Sequence, residues 1–486
     1  MKLLGGSILF VLAMLVCIPG FDTGFVADDF IYLGRVQDES SVKLAVTPVD
    51  FETPGFGFYR PVTMLVWKID YLLHGANPIG YHVTNTALFI LVVLLTAQLV
   101  DRIHRNGWTA FIAGLILCLH PSIAGNTAWL AYRADLLAAV FSLVAILLFL
   151  AMPSNQSRGC FNSIGAIICS FLAMASKETA LITPLLIVVC DRMDARKDTF
   201  TPTRSPFYGA HFIALIVILL IRFFALGNLI GSTGASGPIS LISIIDNLRD
   251  YLNQILFPLS IDFRGKPVLK LIVFIGLTVL FSTAFLFRRL RFSISFATIA
   301  LIPVLHLDRS QYLLIPMTGF ACLIANFLQS EHHRDRSMEA NLVSGVIVVT
   351  LLGAYGMEAL QRTGLWRDAG QSMVELRATM LAAVPKPEPS THFELEGWRV
   401  PTHIPAGLFE NSLTRAVRLW YENQTLSARI SPETAVGPEE QDGPVQTLIF
   451  NNSHLIQPLF SGQYGLDTDL QESRRLPDRT VVIRIE

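Results

Sequence analysis

Apolar runs long enough to cross a bilayer recur from the start of the chain to residue 360, and short polar loops separate them. A helix needs about 20 apolar residues to span the hydrocarbon core, and on that measure about eleven spans can be read. They lie near 3–19, 83–100, 108–123, 134–152, 162–176, 178–190, 207–227, 268–287, 293–305, 312–328 and 340–360. Beyond residue 360 the pattern changes to a polar tail rich in Pro and Glu. There "FENSLTRAVRLWYEN" (409–423) spaces Leu413, Val417 and Trp420 as a helix would, while "TLIFNNS" (447–453) and "RTVVIRIE" (479–486) read as strands. The expected architecture is an all-α polytopic membrane protein over 1–360, followed by a small C-terminal α/β domain over 361–486.

Composition agrees with that pattern. The 486 residues are 52% hydrophobic and only 15% charged, with a mean hydropathy of +0.50. A net charge of −1 leaves no electrostatic footprint for nucleic acid. Lys2 and the apolar core after it resemble a signal peptide, but the sequence near Pro19 lacks a small-x-small cleavage pattern, so the segment reads as an uncleaved anchor. The loops "DRIHRNG" (101–107), "DRMDARK" (191–197), "RRLR" (288–291) and "HHRDR" (332–336) are short and basic, and the span count puts all four on the side of the N-terminus. Short Lys/Arg-rich loops stay in the cytoplasm, which makes the N-terminus cytoplasmic and the C-terminal domain extracytoplasmic. Cys17, Cys118, Cys160, Cys169, Cys190 and Cys322 lie in or beside spans without paired spacing, and read as inert packing residues.

Polar residues concentrate on the external face. In "FVADDFIYL" (25–33), Asp28 and Asp29 follow the first span directly, where two adjacent carboxylates cannot both stay comfortably ionised. In "GFYRPVTMLVWKIDYLLHGANPIGYHVTN" (57–85), Leu65, Ile69 and Leu72 suit an interfacial helix with Trp67 and Tyr71 as anchors, and Arg60 and Lys68 could meet an anionic headgroup. "LHPSIAGNTAWLAYRADLLAA" (119–139) brings His120, Arg133 and Asp135 to the membrane edge. "MASKETALITP" (174–184) sets Lys177 and Glu178 between apolar runs, where a charge costs roughly 2.5–3.5 kcal/mol at a span centre. Plain structural readings stand beside these. The aspartates can be a solvated loop pair, His120 a span terminator capping carbonyls, Arg133 and Asp135 a snorkelling pair, and Lys177–Glu178 a helical break. Asn155, Asn423 and Asn451 begin N-x-S/T triplets that are frequent by chance.

Taken in order, "DDF", "YRPVT…LLHGANPIGYHVTN", "HPSIAGNTAWLAYRADLLAA", "ASKETALITPLLIVVCD" and "QYLLIPMTGF" resemble the membrane half of the GT-C glycosyltransferases over residues 20–330. Within that class the chain looks most like the tetratricopeptide-type O-mannosyltransferases and their bacterial relatives. It is more distantly similar to the protein O-mannosyltransferases and the aminoarabinose transferase of lipid A. Asp28 and Asp29 fall on the family's first-loop acidic pair, Arg133 and Asp135 on its "GRADLLAA", and Lys177 and Glu178 on its "SKE". There are departures. Ala124, Gly125 and Asn126 stand where the family often has a Glu, Arg309 is displaced from its usual place before "QYLLIP", and the tetratricopeptide repeats are replaced by the tail.

The resemblance implies transfer of a sugar, with mannose the family's example, from a polyprenyl-phosphate donor to a protein, glycan or lipid hydroxyl, with inversion. It also implies an extracytoplasmic site in a bacterial inner membrane. The departing lipid phosphate gains charge, so cations placed there act on the transition state. Arg133, Lys177, Arg60 and Arg309 are the candidates for that clamp. Asp28 or Asp29 would accept the hydroxyl proton, with Asp28 favoured, or the two would hold a divalent cation. His120, Asp135, Glu178, Tyr59, His82 and Tyr312 take supporting places. Two other classes compete. A transporter or flippase would carry its ionisable groups near mid-membrane in repeated halves, whereas these crowd one face. A non-catalytic assembly protein would keep the fold and lose the chemistry.

Overall fold

The computed structural model describes residues 2–50, 57–152, 156–194, 205–228, 241–258, 282, 285–305, 310–328, 338–396, 406–430, 446–450 and 480–485. Helix α1 (Lys2–Cys17) leads through a 3₁₀ turn into α2 (Asp29–Asp38) and α3 (Ser41–Val46). A two-residue strand pair, β1 (Val49–Asp50) and β2 (Gly57–Phe58), precedes α4 (Pro61–His74). Then come α5 (Pro78–His104), α6 (Gly107–Leu119), α7 (Arg133–Leu150), α8 (Gln156–Ser176), α9 (Thr183–Met193) and α10 (Ser205–Leu226). The helical part closes with α11 (Leu241–Ile255), α12 (Arg288–Leu301), α13 (Leu314–Leu328) and α14 (Met338–Ala383).

Among the described residues four helices are long and apolar enough to cross a membrane: Leu3–Asp22, Pro78–His104, Leu130–Leu150 and Pro206–Leu226. A fifth joins them if Gly107–Leu119 and Pro121–Ala128, bent by 54°, form one broken span. The chain is a multi-pass membrane protein. Several other expected spans are shorter than their apolar runs. The run 178–190 opens with a 3₁₀ turn, Glu178–Ile182, and 293–305 closes with another, Ile302–Val304. Phe161–Ser176 and Leu314–Leu328 are apolar but short. The run 268–287 lies almost wholly outside the described residues. The breaks share a cause: where Pro121 or the extended Lys177 (φ −157°) interrupts the helix, backbone and charged groups need partners from neighbouring segments.

Small residues let the helices approach closely. A Cβ on Gly319 of α13 would stand 2.6 Å from the backbone nitrogen of Ala297 in α12, so only glycine fits that crossing. Helix α4 exposes Ile69, Leu72 and Leu73 as an interfacial helix would. Its Trp67 is not an anchor. It is fully buried between Tyr32 and Tyr81, because the α4 face it occupies packs inward on α2.

At one end of the bundle the basic loops gather. Arg102 pairs with Asp194 at 2.9 Å and donates to the Leu150 carbonyl, while His104 approaches Cys322 at 3.3 Å and packs on Phe292. The loop 332–336 lies outside the described residues.

Helix α14 is 46 residues, or about 69 Å at 1.5 Å per residue, more than twice a hydrocarbon core of about 30 Å. Residue 360 lies inside it, so one continuous helix joins the bundle to the tail. There β3 (His392–Glu396), α15 (Ala406–Trp420), β4 (Ser427–Ile430), β5 (Gln446–Phe450) and β6 (Thr480–Ile485) form a parallel sheet of order β4-β3-β6-β5 with a helix against it. The strands and helix read from the sequence are there; β3 and β4 are additional. One hydrophobic cluster runs from the bundle through Phe30 and Leu33 of α2 to Leu413, Val417, Phe393 and Leu426.

Candidate functional site

The site forms where helices break at the end opposite the basic loops. Asp28 and Asp29 differ sharply there. Asp29 is fully buried, its Oδ2 accepting from the Val26 N–H at 2.9 Å and its Oδ1 from the Ala131 N–H at 2.7 Å. Burial pushes its carboxyl well above the usual carboxylate range, and the two amide donors oppose that rise. Asp28 is half-buried and stands at the start of α2, where its side chain does not cap the helix. Ala27, just before it, is buried in the left-handed region at φ +51°, a conformation that costs a non-glycine residue about 1–2 kcal/mol. Such strain persists only where surrounding contacts over-determine it. A cation shared by both aspartates would have to displace the two amide bonds of Asp29. Among the described residues no group of three or more His, Cys, Asp and Glu comes together as a metal site.

One turn along α2, the buried Tyr32 hydroxyl accepts from Arg60 at 3.1 Å. Burial raises the Tyr32 pKa and keeps the phenol protonated; Arg60 pulls it down and Asp28 pushes it up. Arg60 forks onto Glu178 at 2.8 and 3.0 Å, and its guanidinium lies over Phe58 at 4.1 Å. Glu178 also faces Arg222 of α10 at 4.0 Å, and Arg222 donates to the Tyr59 carbonyl at 2.9 Å. Lys177 pairs with Asp135 and lies 4.7 Å from the Tyr312 ring. Arg60 and Glu178 are within electrostatic reach of that pair. Three buried cations, Arg60, Arg222 and Lys177, thus meet two buried carboxylates, Glu178 and Asp135. Charges this deep persist only in such networks.

The sequence reading put Arg133 in the phosphate clamp; the structure encloses it instead. Its guanidinium is fully buried, 2.8 Å from Asp70, donating to Asn85 and the Tyr81 carbonyl at 2.9 Å each, between the Trp67 and Tyr81 rings. A phosphate would have to replace Asp70 to reach it. Arg133 therefore braces α4, α5 and the 130–132 turn that supplies the Ala131 N–H to Asp29. Snorkelling is corrected for the same reason, as neither Arg133 nor Asp135 reaches outward.

The other expected residues divide similarly. His82 bonds the Thr23 carbonyl at 2.7 Å and steadies the aspartate loop. His120 is buried 3.4 Å from the Ile255 carbonyl, against the Tyr355 ring. The Tyr59 hydroxyl donates to the Ala45 carbonyl. Arg309 lies outside the described residues. Sequence reasoning missed Tyr32, Asp70 and Arg222. Arg222 in "LLIRFFAL" carried a signal as a lone charge in apolar surroundings, and Asp70 in "WKIDYLL" a weaker one beside Lys68.

No family model matches the chain. Several curated relatives carry the same description. It is 28% identical over 188 residues to Protein O-mannosyl-transferase Tmtc1 of Drosophila melanogaster, covering 37% of this chain and 22% of that protein. It is 35% identical over 106 residues to Protein O-mannosyl-transferase TMTC3 of Mus musculus, covering 22% of this chain and 11% of that one. The chain is similar in sequence to protein O-mannosyl-transferases. It spans 22% or less of the length of these two relatives. Among solved structures, ArnT from Cupriavidus metallidurans bound to undecaprenyl phosphate matches with a TM-score of 0.45 and 14% identity, over 87% of this chain and 85% of that one. The Archaeoglobus fulgidus oligosaccharyltransferase matches with a TM-score of 0.49 and 12% identity, over 88% of this chain and 65% of that one.

Proposed function

We propose that this protein is a membrane glycosyltransferase that moves a sugar from a polyprenyl-phosphate donor to an acceptor hydroxyl. The observation that carries the reading is the half-buried Asp28 at the start of α2, one turn before the Tyr32 hydroxyl that accepts from Arg60 of the buried Arg60–Glu178 and Lys177–Asp135 cluster. The similarity to protein O-mannosyl-transferases supports mannose as the first sugar to try and a protein hydroxyl as the first acceptor. Asp28 takes the proton of the acceptor hydroxyl as its oxygen attacks the anomeric carbon from the face opposite the phosphate. The bond from that carbon to the phosphate oxygen breaks, the lipid phosphate leaves with the electron pair, and the configuration inverts. Lys177 and the Arg60–Arg222 pair around Glu178, enclosed with their carboxylates as Arg133 is with Asp70, act on the charge that develops on the leaving phosphate through their fixed field and not by contact, so they spend no reorganisation energy during the reaction. On this reading the site faces away from the cytoplasm, with the N-terminus inside, in a bacterial inner membrane. A reporter active only in the cytoplasm, fused after Glu486, is then silent.

The test is transfer from a panel of labelled polyprenyl-phosphate sugars in membranes containing the wild-type protein or Asp28→Asn. Asn keeps the size of Asp28 but cannot take the proton, so turnover falls by about two to four orders of magnitude while donor binding stays. Full activity in the variant, or no transfer from any donor by the wild type, refutes the proposal.

A further inference from the structure

The strained Asp28 loop is closed by aromatic rings on both sides in sequence. Phe25 precedes it, Phe30 follows it, and their rings meet at 6.3 Å. Phe25 leans edge-on against Tyr81 at 5.3 Å, which anchors that side to the bundle. The other side is anchored from outside the bundle: Trp420, the last residue of α15, meets Phe30 edge to face at 5.8 Å and 88°. Such T-shaped contacts add specific geometry to apolar burial. The same surface continues along α2, where Leu419 and Arg415 lie about one van der Waals contact from a Cβ on Gly34, and Gln424 donates to Asp38 at 3.0 Å. Tyr421 ties the end of α15 to α14 by donating to the Met380 carbonyl at 2.7 Å. On the opposite flank, a Cβ on Gly370 of α14 would stand 2.8 Å from the Gly24 nitrogen, so α14 presses directly on the loop backbone.

We propose that Trp420, carried by the C-terminal α/β unit, is a positioning residue for Asp28. The inference rests on the reading of Asp28 as the base. Residues 23–28 make no regular structure that would hold Ala27 at a positive φ by itself. The clasp of Asp29, the pressure of Gly370 and the Phe25–Phe30–Trp420 ring contacts supply that constraint together. Removing Trp420 takes away the only one of these that comes from α15. The tail is then part of the catalytic apparatus although it holds no reacting group.

The test uses the full chain in nanodiscs and two readouts. Hydrogen exchange is measured over residues 26–34 in Trp420→Ala and Trp420→Phe. Exchange there rises in the alanine variant and returns toward wild type in the phenylalanine one. Transfer is measured in the same preparations: Trp420→Ala lowers kcat by about 10- to 10²-fold, the scale of a misplaced catalytic group, with the donor KM unchanged. Gly370→Ala, which pushes Gly24 from the other flank, gives the same split between kcat and KM if Trp420→Ala fails to fold. Unchanged exchange over 26–34 in Trp420→Ala overturns the proposal, as does normal kcat in both variants when Asp28→Asn has lost transfer. If Asp28→Asn transfers sugar normally, the base assignment fails on its own, and the exchange data still decide whether α15 holds the loop.

Discussion

Both ends of the helical bundle carry charged residues, and the described ones are treated in opposite ways. At the basic end the cations stand at helix ends near water: Arg105 is exposed, Arg291 donates to the Phe285 and Leu286 carbonyls, and the Arg102–Asp194 pair keeps its arginine partly in contact with solvent. At the site end Arg60, Arg133, Lys177 and Arg222 are all buried, and each carboxylate partner comes from a different segment of chain. Loop charges in water act through their number and side, which is how they orient a membrane protein. Buried charges act through their partners. The same residue types therefore stand near water at one end and in buried ion-pair networks at the other.

That contrast can be broken most forcefully at Glu178. Glu178→Ala leaves Arg60 without its forked partner and Arg222 without its nearby carboxylate, both buried. Removing one member of a buried ion pair costs about 3–5 kcal/mol. The unfolding midpoint in detergent should drop steeply, and an unchanged midpoint would mean that water or lipid already compensates these cations. A smaller effect separates the adjacent aspartates. Asp29→Asn turns one amide acceptor into a donor facing a backbone N–H, at a cost of about 1–3 kcal/mol in stability. Asp28→Asn makes no such change and should leave the midpoint nearly in place while lowering transfer. Equal destabilisation by both would erase the division of roles. The smallest effect lies at the basic end. Arg105 caps α5 in the left-handed region at φ +54°. Arg105→Gly relieves that backbone and gives up an exposed charge, for a net gain no larger than about 1 kcal/mol and no change in transfer. A large loss there would show that the basic end also depends on specific partners.

Much of this candidate site was legible in the sequence because a charge in apolar surroundings is conspicuous. Asp28, Asp29, Lys177, Glu178, Arg133 and Asp135 were found that way, and each stands at the helix breaks of the site end. Their partners were not legible. Arg133 meets Asp70 from 63 positions away, and Arg60 meets Glu178 across 118. Those pairings depend on how α4, α7, α8 and α10 pack. Adjacency could not say which aspartate faces inward either: the answer comes from Val26 and Ala131 amides that converge only after the 130–132 turn has formed.

The sequence by itself determined the membrane class and the segments in which polar residues collect, since those follow from local apolar length and the cost of charge in lipid. The elements of the tail around Val417 and Val482 were readable for the same local reason. Only the tertiary structure decided that Arg133 is enclosed with Asp70, that Arg222 and Tyr32 join the buried charge cluster, and that Trp420 reaches back to Phe30 near the start of the chain. Long-range pairings of this kind leave no periodic trace, because a contact between residues 390 positions apart is set by packing and not by any local preference of either one.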